Sequence, residues 1–157
     1  MSGRVEITTV PKPWGHETIW AKTDRYLGKI LHIKAGHALS VQYHNRKDET
    51  VYLLSGDLRY WVQATEARGR RPEATGLQAG GPHRTAGTGE TPTASRSPIP
   101  DMTDVRLKVG EAFRITPGTI HYMEAVTDCD VLEVSTADGD DVVRLKDRYG
   151  REGTSAP

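Results

Sequence analysis

Four side chains in two separate stretches have the types and spacing to hold one metal ion. In VQYHNRKDETVYLLSG, Val41 to Gly56, Gln42 and His44 stand two residues apart, so on a strand they share a face while Tyr43 points the other way. The intervening NRKD carries turn chemistry in Asn45 and Asp48 and returns the chain with Glu49 at the start of the next strand. Farther on, GEAFRITPGTIH places the turn pair Pro117 and Gly118 just before His121. Two imidazoles, one carboxylate and one amide oxygen suit a divalent transition ion and leave positions for water or substrate. Spacing alone leaves ordinary roles open: hydrogen-bonded histidines, a half-exposed glutamine, and Glu49 paired with Arg46 or Lys47.

The elements that must position these residues read as short strands. Period-two alternation or β-branched and aromatic enrichment, bounded by turn residues, marks 17–21, 26–33, 38–44, 50–54, 58–63, 105–108, 112–115, 121–125, 131–135 and 141–145. Gly36, Gly56, Gly110 and Gly118 punctuate their ends. Short strands without a long amphipathic helix predict an all-β sandwich or barrel, whose inward row of alternate residues can line a ligand site at the mouth.

The chain has 157 residues, of which 36% are hydrophobic, enough for one core, and a single domain over 1–157 is expected. Residues 63–104 are crowded with Gly, Pro, Thr, Ser and Ala and read as a flexible low-complexity insertion; 152–157 read as a frayed tail. Basic and acidic residues balance at 21 each, so no overall field draws nucleic acid or an anionic membrane, while a small ligand held by a local cluster remains open. Cys129 is the only cysteine and reads as a buried structural thiol. The first residues lack an apolar leader and no apolar run approaches membrane-spanning length, so a soluble cytoplasmic protein is expected.

Residues 36–56 and 110–121 together resemble the two motifs of the cupin superfamily, although Thr116 stands where the second motif usually has proline. Gln42 in place of a common histidine, preceded by Leu39 and Ser40, resembles the LSLQ-x-H segment of type II mannose-6-phosphate isomerases, usually the C-terminal part of bifunctional isomerase and guanylyltransferase enzymes. KPWGHE, Lys12 to Glu17, resembles that family's RPWG segment, and DDVVRLKDRYGR, Asp140 to Arg151, its closing motif. These 157 residues carry no guanylyltransferase segment, STADG (Ser135 to Gly139) is shorter than the family's pattern, and Thr50 and Val51 stand where the family often has His and Trp.

The resemblance implies an all-β cupin jelly roll, with Gln42, His44, Glu49 and His121 as ligands of a divalent ion, whether Zn, Mn, Co, Ni or Fe. It implies an aldose–ketose isomerase, with mannose 6-phosphate and fructose 6-phosphate as the expected pair. Phosphate falls to Arg144 and Arg151 of the closing motif, with a salt bridge to Asp147 as the ordinary alternative; strict spacing in the first motif adds Lys47 or its neighbour Arg46. Lys29, matching a family lysine, is placed to neutralise phosphate or enediolate. Glu133 in VLEVS is expected to point into the barrel as the general base, and Arg144 stands beside them among the catalytic residues. A stand-alone cupin that binds a sugar phosphate or nucleotide sugar without chemistry is the alternative, and a non-haem iron oxygenase a third reading, because His44, Glu49 and His121 form a two-histidine, one-carboxylate set. Edge-strand logic and the resemblance imply a homodimer in which a strand over Val5 to Thr8 caps the partner.

Overall fold

The computed structural model describes residues 2–63, 101–151 and 153–154. Among these, twelve strands form: β1 (Thr8–Lys12), β2 (Gly15–Lys22), β3 (Tyr26–Ile33), β4 (Val41–Tyr43), β5 (Glu49–Ser55), β6 (Leu58–Gln63), β7 (Met102–Leu107), β8 (Ala112–Ile115), β9 (His121–Ala125), β10 (Cys129–Thr136), β11 (Val143–Lys146) and β12 (Gly153–Thr154). They make two six-stranded antiparallel sheets, β1-β2-β3-β10-β5-β8 and β12-β11-β4-β9-β6-β7. The described residues contain no helix long and apolar enough to cross a membrane.

Alternation sets what faces inward. On β5, Glu49, Val51 and Leu53 are buried while Thr50, Tyr52 and Leu54 are exposed, and on β10 Cys129, Val131, Glu133 and Ser135 repeat that pattern. Because residues paired across strands share a face, the register Ile33↔Cys129, Leu31↔Val131 and Lys29↔Glu133 stacks inward rows across the first sheet. Facing them from the second sheet are Leu58, Tyr60, Met123 and Ala125, and the core cluster joins both sheets. A second apolar cluster of Ala38, Val41, Trp61 and Tyr122 includes the stacked pair Trp61 and Tyr122.

Two glycines are required by close backbone approach. Gly15, which ends the KPWG turn, has φ +148°, and a Cβ there would sit 1.9 Å from the His32 carbonyl oxygen. Gly56, at φ +94°, packs its Cα against Asp128 and Cys129, where a Cβ would come within 2.3 Å of the Asp128 carbonyl oxygen.

Several expected boundaries move. Gln63 pairs with Met102, so Gln63 and 102–104 belong to the β6–β7 hairpin and not to the insertion; residues 64–100 lie outside the described residues, as do 152 and 155–157 of the expected tail. The β-ladder continues there because Thr103 and Asp104 still pair with Val62 and Trp61. The N-terminal strand begins at Thr8 and pairs with β2 of its own chain, leaving Val5 and Ile7 exposed ahead of it. The strand expected over 38–44 shortens to β4, with Ala38 making only an isolated bridge to Glu124.

Candidate metal centre

β4 delivers Gln42 opposite His121 at the start of β9, and His44 follows just beyond the strand end. The two motifs interlock through the backbone: the Gly118 N–H donates to the His44 carbonyl at 2.7 Å, with Gly118 at φ +83°, the value a type II turn needs after proline. Glu49 opens β5 on the facing sheet. His44, Glu49 and His121 are all buried, and one ligand atom from each lies within 4.8 Å of the others.

Each imidazole is oriented from behind. The Nδ1 of His121 meets the Thr119 carbonyl at 2.9 Å, and the Nδ1 of His44 meets the Asp141 carbonyl. Donation from both Nδ1 atoms leaves each Nε2 as a lone pair, and both Nε2 atoms are buried without a hydrogen-bond partner. The Glu49 carboxylate lies against them, Oε1 at 3.1 Å from His121 Nε2 and Oε2 at 3.5 Å from His44 Nε2. Two lone pairs and a carboxylate aimed at one buried point repel each other unless a cation lies between them, so the donor set fits a divalent transition ion. Burial opposes the charge on Glu49; without an ion, the His121 and His44 rings hold it only by turning an Nε2 proton toward it, and these hydrogen bonds, with the Lys47 ammonium, outweigh burial and set its carboxyl well below the ordinary range.

Asp141, to which sequence reading assigned no role, organises the ligand hairpin. Its backbone carbonyl orients His44, and its carboxylate accepts from the backbone N–H groups of Asn45, Arg46 and Lys47. Burial works against that charge, yet the three N–H donors pull the carboxyl down to about 2. The only sequence signal was its place in the DDVVR segment, where the arginine drew attention instead.

Beside the centre lies a cavity of about 70 Å³, lined by Gln42, Lys47, Glu133, Lys29, Glu17 and Arg151 among others. Gln42 accepts a hydrogen bond from Ser40 Oγ at 2.8 Å. Glu133 points inward and is buried, as expected, while Leu132 and Val134 face outward. Its Oε1 accepts from Lys47 Nζ at 2.7 Å, and the same ammonium donates to Glu49 Oε2. Lys29 also faces the cavity, its ammonium 2.7 Å from Glu17 Oε2, while Lys12 holds Glu17 Oε1 at 2.6 Å. In sequence, Lys12 and Glu17 stand out only as the ends of the KPWGHE segment, with Glu17 opening the strand 17–21. Tyr60 has no sequence signal beyond its place in the strand 58–63: its hydroxyl is buried without a partner, and burial, with the charges of Glu49 and Glu133, pushes its ionisation well above the ordinary value.

Of the four residues expected to hold phosphate, Lys47 and Arg151 line this cavity and Arg46 and Arg144 do not. Arg46 sits at the hairpin tip, its side chain 70% exposed and paired with Asp138, away from the cavity wall. Lys47, expected beside it as a phosphate donor, turns inward, and two carboxylates occupy its ammonium because it is buried and must be neutralised. Arg151 lines the cavity but forks onto Asp147 at 2.8 and 2.9 Å. Arg144 pairs with Gln42 in the sheet register; burial and the nearby charge of Arg151 lower its ionisation.

An antiparallel two-sheet barrel with an inward His, Glu and His set at one end is the architecture of a cupin. Solved structures of cupins share it: KdgF from Halomonas sp., at 17% identity over 87% of this chain and 92% of that one, has a TM-score of 0.55. CapF from Staphylococcus aureus, at 14% identity, matches 90% of this chain but only 35% of its own length, with a TM-score of 0.56. Oxalate decarboxylase from Bacillus subtilis, at 12% identity, matches 89% of this chain and 30% of its own, with a TM-score of 0.58. At such identities the likeness is one of fold. Within the cupins, the chain belongs to the family described as mannose-6-phosphate isomerase C-terminal, whose sequence profile matches residues 4–95, more than half of its length. No curated protein sequence matches the chain.

Proposed function

We propose that the protein is a divalent-metal-dependent isomerase that interconverts an aldose phosphate and a ketose phosphate, with mannose 6-phosphate and fructose 6-phosphate as the leading pair. The observation that carries this reading is the meeting, at one end of the barrel, of two unpartnered imidazole nitrogens and Glu49 with a charged cavity that contains a second carboxylate. His44, Glu49 and His121 would hold the ion, with Gln42 at the cavity side. Such an ion supplies polarisation of the carbonyl and hydroxyl oxygens of the sugar. Glu133, with one oxygen held by Lys47, carries the proton between C1 and C2 on its other oxygen. Lys12, Lys29 and Arg151 surround the outer part of the cavity with positive charge and orient the phosphate, exchanging their carboxylate partners for it.

A coupled assay on metal-loaded protein with mannose 6-phosphate and other hexose phosphates tests the proposal. Turnover that stops on chelation supports it; no turnover of any of them sinks it. A second reading, a cupin that binds such a ligand without chemistry, draws on one observation: the nominated proton carrier and the nominated lysine are both already ion-paired. Saturable ligand binding with no turnover favours it. An Fe(II)-dependent oxygenase is separated from both by oxygen uptake. We also propose a homodimer built on the N-terminal segment, where Val5 and Ile7 are 69% and 62% exposed. Light scattering on the chain with and without its first seven residues checks this, and a monomer in both cases sinks it.

A further inference from the structure

We propose that Lys47 is a positioning residue for the metal centre, whose ammonium holds Glu133 out of the coordination sphere and leaves Glu49 as the single carboxylate ligand. The inference rests on the reading that His44, Glu49 and His121 hold a divalent ion. Lys47 is 3% exposed, and its ammonium joins Oε2 of Glu49, two residues along the chain from it, to Oε1 of Glu133, 86 residues from it.

Glu133 is otherwise well placed to become a ligand. Val51 is its register partner on β5, so Glu133 and Glu49 are diagonal inward neighbours on adjacent strands, within reach of side chains of this length. A buried carboxylate needs a cation, and there are three candidates near it: the ion, Lys47 and Lys29. Lys29 is the direct cross-strand partner of Glu133, yet its ammonium is 2.7 Å from Glu17 instead. Lys47 is therefore what holds Glu133 at the cavity wall. The consequence is a centre with one negative ligand charge in place of two, and a second carboxylate kept free to move a proton. Adding an oxygen ligand would raise the coordination number and turn the site toward harder ions.

Co(II) titration of the metal-free full-length protein, followed by calorimetry and by the visible spectrum, tests this without any assay of turnover. Lys47→Met is expected to bind Co(II) about tenfold more tightly, with a weaker visible band as the coordination number rises. Lys47→Arg keeps the wild-type spectrum, and adding Glu133→Gln to Lys47→Met restores it. A folded Lys47→Met protein with unchanged or weaker affinity and the wild-type spectrum overturns the proposal, as does a double variant that keeps the altered spectrum. Should Lys47→Met fail to fold, Glu133→Gln alone decides: an unchanged Co(II) spectrum supports the proposal, and a changed one shows that Glu133 already ligates. Wild-type protein that binds no divalent ion removes the metal reading itself, an outcome distinct from these.

Discussion

At one end of the barrel interior Ile33, Leu58, Ala125 and Cys129 close an apolar floor; at the other His44, Glu49, His121, Lys47 and Glu133 meet. The same strands build both ends. β5 passes from Glu49 to Leu53, β9 from His121 to Ala125, and β10 from Glu133 back to Cys129, each in inward steps of two. Both ends are almost fully buried, so solvent does not distinguish them. The apolar end is stable as it stands, whereas the polar end balances Lys47 against Glu49 and Glu133 and still leaves two imidazole nitrogens without partners. Burial without satisfaction is what separates a binding site from a core.

The two ends differ most in what the loss of a ligand does. His121→Ala is expected to abolish divalent-ion binding by calorimetry, and with it the rise in thermal stability that added ion gives the wild type, about 2.7 kcal/mol at a free concentration of a hundred dissociation constants. Retained binding would place the ion elsewhere. At the apolar end, Leu53→Ala removes a fully buried side chain and should lower unfolding free energy by about 2–5 kcal/mol in urea titrations, while ion affinity holds wherever the variant is folded.

Asp141 sharpens the link between the hairpin and the centre. Its carboxyl, pulled down to about 2 in the folded chain, lies near 3.9 when unfolded, so it contributes stability above about pH 4 that is lost as pH falls toward 2. Asp141→Asn should be less stable than wild type at pH 7, with the difference shrinking between pH 4 and 2; a constant difference would assign the loss to another contact. The smallest effect is at Cys129. Burial, reinforced by Asp57, pushes its thiol up to about 11, so a disulfide reagent at pH 8 should leave it unmodified until urea unfolds the chain.

Much of this was legible in order and spacing. The strands 26–33, 58–63, 112–115 and 121–125 fall where β-branched and aromatic runs bounded by turn residues place them, because such runs are a local property. His44, Glu49 and His121 were legible as candidates from residue type and turn chemistry. The phosphate arginines were read by resemblance, and the hairpin pair Arg46 and Lys47 looked equivalent in sequence. In the barrel they point oppositely, one to solvent and one between two carboxylates, because successive residues at the turn face opposite sides.

The strands, the inward rows and the pairing of His44 with Glu49 rest on residues two to five positions apart, and His121 is marked by its own local turn at Pro117 and Gly118, so all of these can be read from the chain. That Asp141 orients His44, that Lys29 turns to Glu17 and that Lys47 joins Glu49 to Glu133 follows from the packing of distant segments. Those choices are settled by which buried charge has no better partner across the barrel, and no local pattern carries that competition.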